Sequence, residues 1–257
     1  MEDPSRSLDV LVVEDNPVNQ KVVVGLLTKW GHRVIVACDG ASGLEALQRQ
    51  DVDLVLMDIQ MPMMDGIEAT CSIRARERAH GGYTPIIAVT AHATTQDRAR
   101  CLEAGADRYL TKPINSKLLR KTIAELFPAA PHEPDAPPAT VIGGEVDFDQ
   151  LKASVGEDPV LMAEVIEIFF HEAHVTLENA ARAISQWDSP ALEASAHRLK
   201  GSLSTVGAAG AAQTANLLES MGRDGALVGA AELCERLRLQ VDAACESLRL
   251  WKDQPTA

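Results

Sequence analysis

Two short stretches hold the side chains richest in chemistry. In VLMDIQMPMMDG an apolar run ends at Asp58, and in AHRLKGSLSTVGA a histidine, His197, is followed by Lys200 and Gly201 at helical spacing. Other apolar runs in the first half also end on reactive groups. LDVLVV runs into Glu14 and Asp15, PIIAVTA closes on Thr90 and Ala91, and RYLTK closes on Lys112. If these runs are strands of one open parallel sheet, their carboxyl ends share the edge where such sheets bind ligands. Three carboxylates, a hydroxyl and a lysine then converge. Crowded carboxylates raise one another's pKa unless a cation joins them, and a hard divalent ion such as Mg²⁺ suits oxygen ligands. Asp58 becomes a nucleophile able to attack a phosphoryl group and form an acyl phosphate. The ion and Lys112 neutralise charge on the moving oxygens, Thr90 donates a hydrogen bond to one of them, and Ala91 leaves room.

The histidine has its own setting. Leu192, Ala196, Leu199, Leu203 and Val206 recur at spacings of three and four, the buried stripe of an amphipathic helix. His197 lies off that stripe, sharing a face with Glu193, Lys200, Gly201 and Ser204, and is expected to point to solvent. A mid-helix glycine costs up to about 1 kcal/mol relative to alanine, which makes sense where something must approach the imidazole closely. Lys200 places positive charge where a phosphoryl group on His197 would sit. His171 and His174 in FFHEAH are three apart, not at the HExxH spacing of a zinc protease, and read as capping or flanking a helix.

The elements that must position these groups fall into two kinds. Over residues 8–127, LDVLVV, RVIVA, DLVLMD, PIIAVTA and RYLTK alternate with helical stretches. Nearly continuous Val/Ile/Leu runs, rather than alternation, indicate parallel strands covered on both faces. Five β–α units predict a doubly wound α/β domain over residues 1–127 with a five-stranded parallel sheet. Gly31, Gly81, Gly82 and Gly105 fall where helices should end. Residues 128–144 hold five prolines and read as a stiff linker, able to span about 50 Å if fully polyproline-like. Residues 145–257 lack strand signals; four to six helices over 147–253 predict an all-α bundle.

The formal charge of −13 is uneven: residues 1–127 carry −2 and residues 128–257 carry −11, and the acidic bundle face reads as solvated surface. An acidic chain without a basic cluster is a poor match for a phosphate backbone, so no nucleic acid is expected. The five cysteines form no CxxC pair and fit a reducing cytosol. MEDPSRS lacks the basic start of a signal peptide, and no run approaches the roughly 20 apolar residues of a membrane helix, so a cytoplasmic location is expected.

On VVEDNPVNQ, VLMDIQMPMMDG, VTA at 89–91 and LTKP at 110–113, residues 8–127 resemble a receiver domain of two-component signalling. The resemblance implies a flavodoxin-like strand order, with Asp58 as phosphoacceptor and Glu14 and Asp15 as the acidic pair. It implies Mg²⁺ held by Glu14, Asp15, Asp58 and the backbone carbonyl of Gln60. Thr90 is then the switch hydroxyl, Lys112 the family's lysine, and Tyr109 the aromatic whose rotamer changes on activation. Gln60 and His92 occupy variable positions thought to tune phosphate lifetime. The His-x-x-Lys-Gly at His197, with Asn216-Leu217-Leu218-Glu219, resembles the phosphoacceptor helix of histidine phosphotransfer (HPt) domains. Receiver, linker and HPt in this order resemble the C-terminal end of hybrid sensor histidine kinases. The resemblance implies a phosphorelay protein exchanging phosphoryl groups with a cognate sensor kinase and a downstream response regulator or HPt protein. Nothing resembles an ATP-binding kinase domain. Two other readings stay open: a Mg²⁺-dependent phosphohydrolase, which wants an aspartate where Gln60 stands, and a binding module regulated by phosphorylation without transfer.

Overall fold

The structure is a computed structural model that describes residues 7–91, 95–127 and 146–252. Its first half alternates strand and helix: β1 (Asp9–Val13), α1 (Pro17–Lys29), β2 (Arg33–Ala37), α2 (Gly40–Arg49), β3 (Leu54–Asp58), α3 (Gly66–His80), β4 (Ile86–Thr90), α4 (Thr95–Ala104), β5 (Arg108–Thr111) and α5 (Ser116–Leu126). All five strands are parallel, in the order β2-β1-β3-β4-β5. Central β3 and β4 are buried at every position, whereas edge strand β2 is largely uncovered. Unbroken apolar runs are what a strand sandwiched between two helix layers requires.

Helix starts are set by side-chain caps. Asn16 accepts from the Val18 and Asn19 amides, Asp65 from the Glu68 amide, and Asn115 from the Leu118 amide, satisfying donors that the first turn leaves unpaired. Gly31, Gly81, Gly82 and Gly105 all have positive φ, as expected at helix ends. Gly66 is held by space rather than by φ: a Cβ there would lie 2.0 Å from the Asp58 carbonyl oxygen. This lets the loop after β3 fold back tightly beneath Asp58.

The second half is helical throughout: α6 (Phe148–Ser154), α7 (Pro159–Ser185), α8 (Ser189–Thr205), α9 (Ala209–Asp224) and α10 (Ala230–Lys252). Asp147, Asp158 and Asp188 cap α6, α7 and α8. The stripe Leu192, Ala196, Leu199, Leu203, Val206 is completely buried. His171 and His174 sit inside the long α7, exposed, and not at a helix end; His174 Nδ1 lies 2.8 Å from the Phe170 carbonyl of its own helix. The 128–144 segment, read from sequence as a stiff linker, lies outside the described residues. No helix among the described residues is long and apolar enough to cross a membrane.

The two halves are packed together. One apolar cluster runs from the sheet through Val22, Val23 and Leu26 of α1 into Leu151, Val155, Leu161 and Val165 of the bundle. A second, smaller cluster on the opposite sheet face includes Val13, Met57, Ile73 and Ile86. Gly25 on α1 admits the bundle: a Cβ there would meet the Leu161 Cδ1 at 2.4 Å. Lys21 and Lys29 of α1 pair with Glu164 and Asp158 of the bundle, each at 2.8 Å. Part of the acidic bundle face is therefore a partner for α1 rather than solvated surface. These half-exposed pairs contribute at most about 1 kcal/mol each; buried apolar area, at about 25 cal/mol per Å², supplies the larger share.

A Gly25→Arg substitution forces a long charged side chain against Leu161. It is expected to separate the halves while leaving each folded. Small-angle scattering should show a larger radius of gyration with helix content by circular dichroism unchanged; unchanged scattering would contradict the interface.

Candidate functional site

The carboxyl edge of the sheet gathers the residues expected there. Glu14 follows β1, Asp58 ends β3, and Thr90 ends β4; all three are at most 3% exposed. Carboxylate oxygens of Glu14, Asp15 and Asp58 lie within 4.8 Å of one another. Lys112, just past β5, reaches Asp58 Oδ2 at 2.7 Å and Glu14 Oε2 at 2.8 Å. The Gln60 amide donates to Asp58 Oδ1 at 3.1 Å, and the Asn19 side chain donates to Glu14 Oε1 at 3.0 Å. Burial, reinforced by Glu14 and Asp15 and opposed by Lys112, pushes the Asp58 carboxyl up to about 8. Burial disfavours a charged Lys112, but Asp58 and then Glu14 outweigh it and hold the ammonium above the ordinary lysine range. Three acids against one lysine leave an excess of negative charge, and oxygen-only donors in a tight group fit a hard divalent cation.

Tyr109 is half-buried on β5, with the Arg98 guanidinium 5.0 Å from its ring centre, a cation–π contact from α4. Ala91 lies beside the pocket. His92 lies outside the described residues.

The histidine faces this pocket. A cavity of about 610 Å³ between the halves is lined by Glu14, Asp15 and Lys112 on one side and His197, Lys200 and Asn216 on the other. His197 was expected to face open solvent; its side chain is only 18% exposed, with Nδ1 held against Glu219 of α9 and the ring on the wall of this cavity. Lys200 was expected beside a phosphoryl group. It is buried, with Nζ 2.5 Å from Glu219 Oε2 and 3.4 Å from Asn216 Oδ1. Gly201 does provide for a close approach, but to protein: a Cβ there would lie 3.3 Å from the Asn16 amide nitrogen and 3.4 Å from that of Asn19.

Glu219, on α9, organises the histidine. It is 2% exposed and receives His197 Nδ1 at 3.0 Å, Lys200 Nζ, and Arg223 Nη2 at 2.9 Å. A carboxylate can only accept, so Nδ1 is the donor to Glu219 and Nε2 is the ring nitrogen left for other partners. Burial works to raise the Glu219 pKa, but the hydrogen bonds and charges of His197 and Lys200 outweigh it and hold the carboxyl at about 2. Sequence reading quoted Glu219 only as part of a motif. It stands 22 residues beyond His197 on another helix, so spacing carries no sign of the contact.

A parallel sheet of this order, with its acid–lysine pocket, defines a receiver-type domain, and the bundle presents a histidine to it. Family models agree: residues 10–124 match the response regulator receiver domain and residues 164–247 the Hpt domain. The chain belongs to the two-component phosphorelay proteins, as a receiver domain followed by an Hpt domain, the arrangement of hybrid histidine kinases. Hybrid signal transduction histidine kinase I of Dictyostelium discoideum is 50% identical over 119 residues, which are 44% of this chain and 7% of that protein. The sensory/regulatory protein RpfC of Xanthomonas campestris pv. campestris is 28% identical over 258 residues, which are 96% of this chain and 34% of that protein. The chain thus spans a minor part of these relatives. Among solved structures, the receiver domain of sensor histidine kinase PA1611 from Pseudomonas aeruginosa, crystallised with magnesium in its cleft, is 42% identical. It matches 47% of this chain and 97% of that one, at a TM-score of 0.43.

Folding depresses the Glu219 pKa, so its stabilisation is complete above the ordinary carboxylate value of 4.5 and is lost as pH falls toward about 2. Glu219→Gln is expected to lower stability at neutral pH by about 3 kcal/mol, because buried cations lose their partner. It should also flatten the dependence between pH 4.5 and 2. Thermal melts of both proteins across that range check both.

Proposed function

We propose that this chain passes a phosphoryl group between Asp58 and His197 across the cavity between the halves, which His197 lines directly and which Lys112, the ion-pair partner of Asp58, lines from the other side, as one step of a relay that also engages outside partners. The observation that carries this reading is the common cavity, with the acid–lysine pocket on one wall and His197 on the other. Glu14, Asp15, Asp58 and the Gln60 backbone carbonyl would hold Mg²⁺, which supplies positive charge to keep Asp58 ionised and to neutralise phosphoryl oxygens.

The protein's own groups do the remaining work. From the histidine side, the Nε2–phosphorus bond breaks as an Asp58 carboxylate oxygen forms a bond to phosphorus, and the electron pair returns to Nε2. Glu219 holds the Nδ1 proton throughout, so the imidazole leaves and re-enters as the same tautomer. Lys112 shifts from its carboxylate partners to the phosphoryl oxygens, and Thr90 donates to another. In the reverse direction Nε2 is the nucleophile. Both phosphorylated species are high in energy, so the exchange runs either way. Tyr109 follows the switch hydroxyl on activation.

Gln60 argues against a hydrolase: the residue two after the nucleophile is an amide with no proton to give a leaving group, and its Oε1 is buried without a partner. Upstream we assign a sensor kinase as donor, and downstream a response regulator or another Hpt protein. Five free cysteines fit a reducing cytoplasm for these steps.

The test is to label the intact chain with radiolabelled acetyl phosphate and follow label from an alkali-labile aspartyl to an acid-labile histidyl linkage. Transfer should be first order and independent of protein concentration. Asp58→Asn should lose both labels, and His197→Gln should retain label on Asp58 alone. Chelation of Mg²⁺ should stop Asp58 chemistry while existing label on His197 survives. A rate proportional to concentration would place the transfer between molecules, and undiminished flow in His197→Gln would reduce the bundle to a docking platform.

A further inference from the structure

Arg198 follows the phosphotransfer histidine and turns to the other domain. Its Nη2 lies 3.1 Å from Asp15 Oδ2, and its backbone carbonyl accepts from Asn16 Nδ2 at 2.8 Å. Both ends of the residue are therefore tied to consecutive residues of the loop after β1. Asp15 is only 9% exposed in its side chain, whereas Arg198 is 38% exposed. The arginine reaches in from the bundle to an acid of the receiver pocket.

We propose that Arg198 competes with the receiver's divalent cation for Asp15, so that metal loading and docking of the bundle oppose each other. This rests on the reading of Glu14, Asp15 and Asp58 as metal ligands. The guanidinium occupies one of two Asp15 oxygens and cancels the charge that makes the group attractive to a cation. A divalent ion on the same carboxylate also repels the guanidinium directly. Both effects have the same sign. Coupling between two binding events is reciprocal: whatever affinity the ion loses to Arg198, the interface loses to the ion. Arg198 thereby reports the state of the acidic pocket to α8, and the metal loosens the bundle for exchange with outside partners. Gly201 and the Asn16 contacts keep α8 near enough for the arginine to reach.

Calorimetry with MgCl₂ on the intact chain at constant ionic strength is the first test. Arg198→Gln is expected to bind Mg²⁺ about two- to fivefold more tightly than the parent. Equal or weaker binding overturns the proposal. Asp15→Asn, run beside it, separates the two levels of inference. If it binds as tightly as the parent, the metal-ligand reading fails and takes the proposal with it. If it loses binding while Arg198→Gln equals the parent, the competition alone fails. Hydrogen exchange on the unaltered chain needs no variant: Mg²⁺ should speed exchange of amides along α1 and α8 where they face each other. Unchanged protection there overturns the proposal.

Discussion

Asn16 stands at the point on which the two halves and the pocket all depend. Its Oδ1 caps α1 through the Val18 and Asn19 amides, and its backbone amide donates to Glu14 Oε1 at 3.3 Å. Its Nδ2 reaches the Arg198 carbonyl at 2.8 Å and Ser202 Oγ at 2.9 Å on α8. Helix start, acidic site and bundle thus meet at one residue that is 2% exposed. A buried amide must satisfy both ends, and this one does so only when α8 is present. Asn19 repeats the pattern, donating to Glu14 and accepting from Thr205 at 2.7 Å. Buried polar groups favour one arrangement over its neighbours, since slippage would strand them. The apolar cluster supplies attraction, and these asparagines supply register.

The two ends of the cavity differ in their electrostatics. In the receiver pocket three acids face Lys112, and burial pushes Asp58 up to about 8. Beside His197, Glu219 is shared by the imidazole, Lys200 and Arg223, and Arg223 also pairs with Glu193. A phosphoryl group carries negative charge, so the receiver pocket suits it only with a cation among its acids.

Much of the fold was legible because its signals are local. β3 and β4 are buried along their whole length, and unbroken apolar runs report that directly. Asp58, Thr90 and Lys112 were found at strand ends because a parallel sheet delivers every carboxyl end to one edge. The buried stripe of α8 was legible for the same reason: helical period decides which side chains enter the core. His197 was correctly placed off that stripe, yet its surroundings were misjudged. Period says which face leaves the bundle core and nothing about what another domain lays over it. Gly201 shows the same limit. The need for close approach was visible in the glycine, while the visitor, the amide ends of Asn16 and Asn19, comes from more than 180 residues earlier, as their bonds to Ser202 and Thr205 show. Glu219 and Arg198 escaped because their roles exist only through tertiary contact.

Docking within one chain changes what an outside partner must do. Tethered domains meet at an effective concentration commonly in the millimolar range, without any contribution from diffusion between molecules. Here the contact also shares an apolar cluster from Leu26 to Leu161, so closure is the resting arrangement and not a rare encounter. A second receiver seeking His197, or a second Hpt protein seeking Asp58, must therefore displace a domain already in place. Competition at that surface would make outward exchange wait for opening. The element that sets the waiting time must touch both the docked surface and the chemistry it guards. α1 meets that requirement, since its apolar face packs on α7 while its capping residues contact both Glu14 and α8. The acidic pocket and the docked surface are thus joined at one helix start, where a change in either is felt by the other.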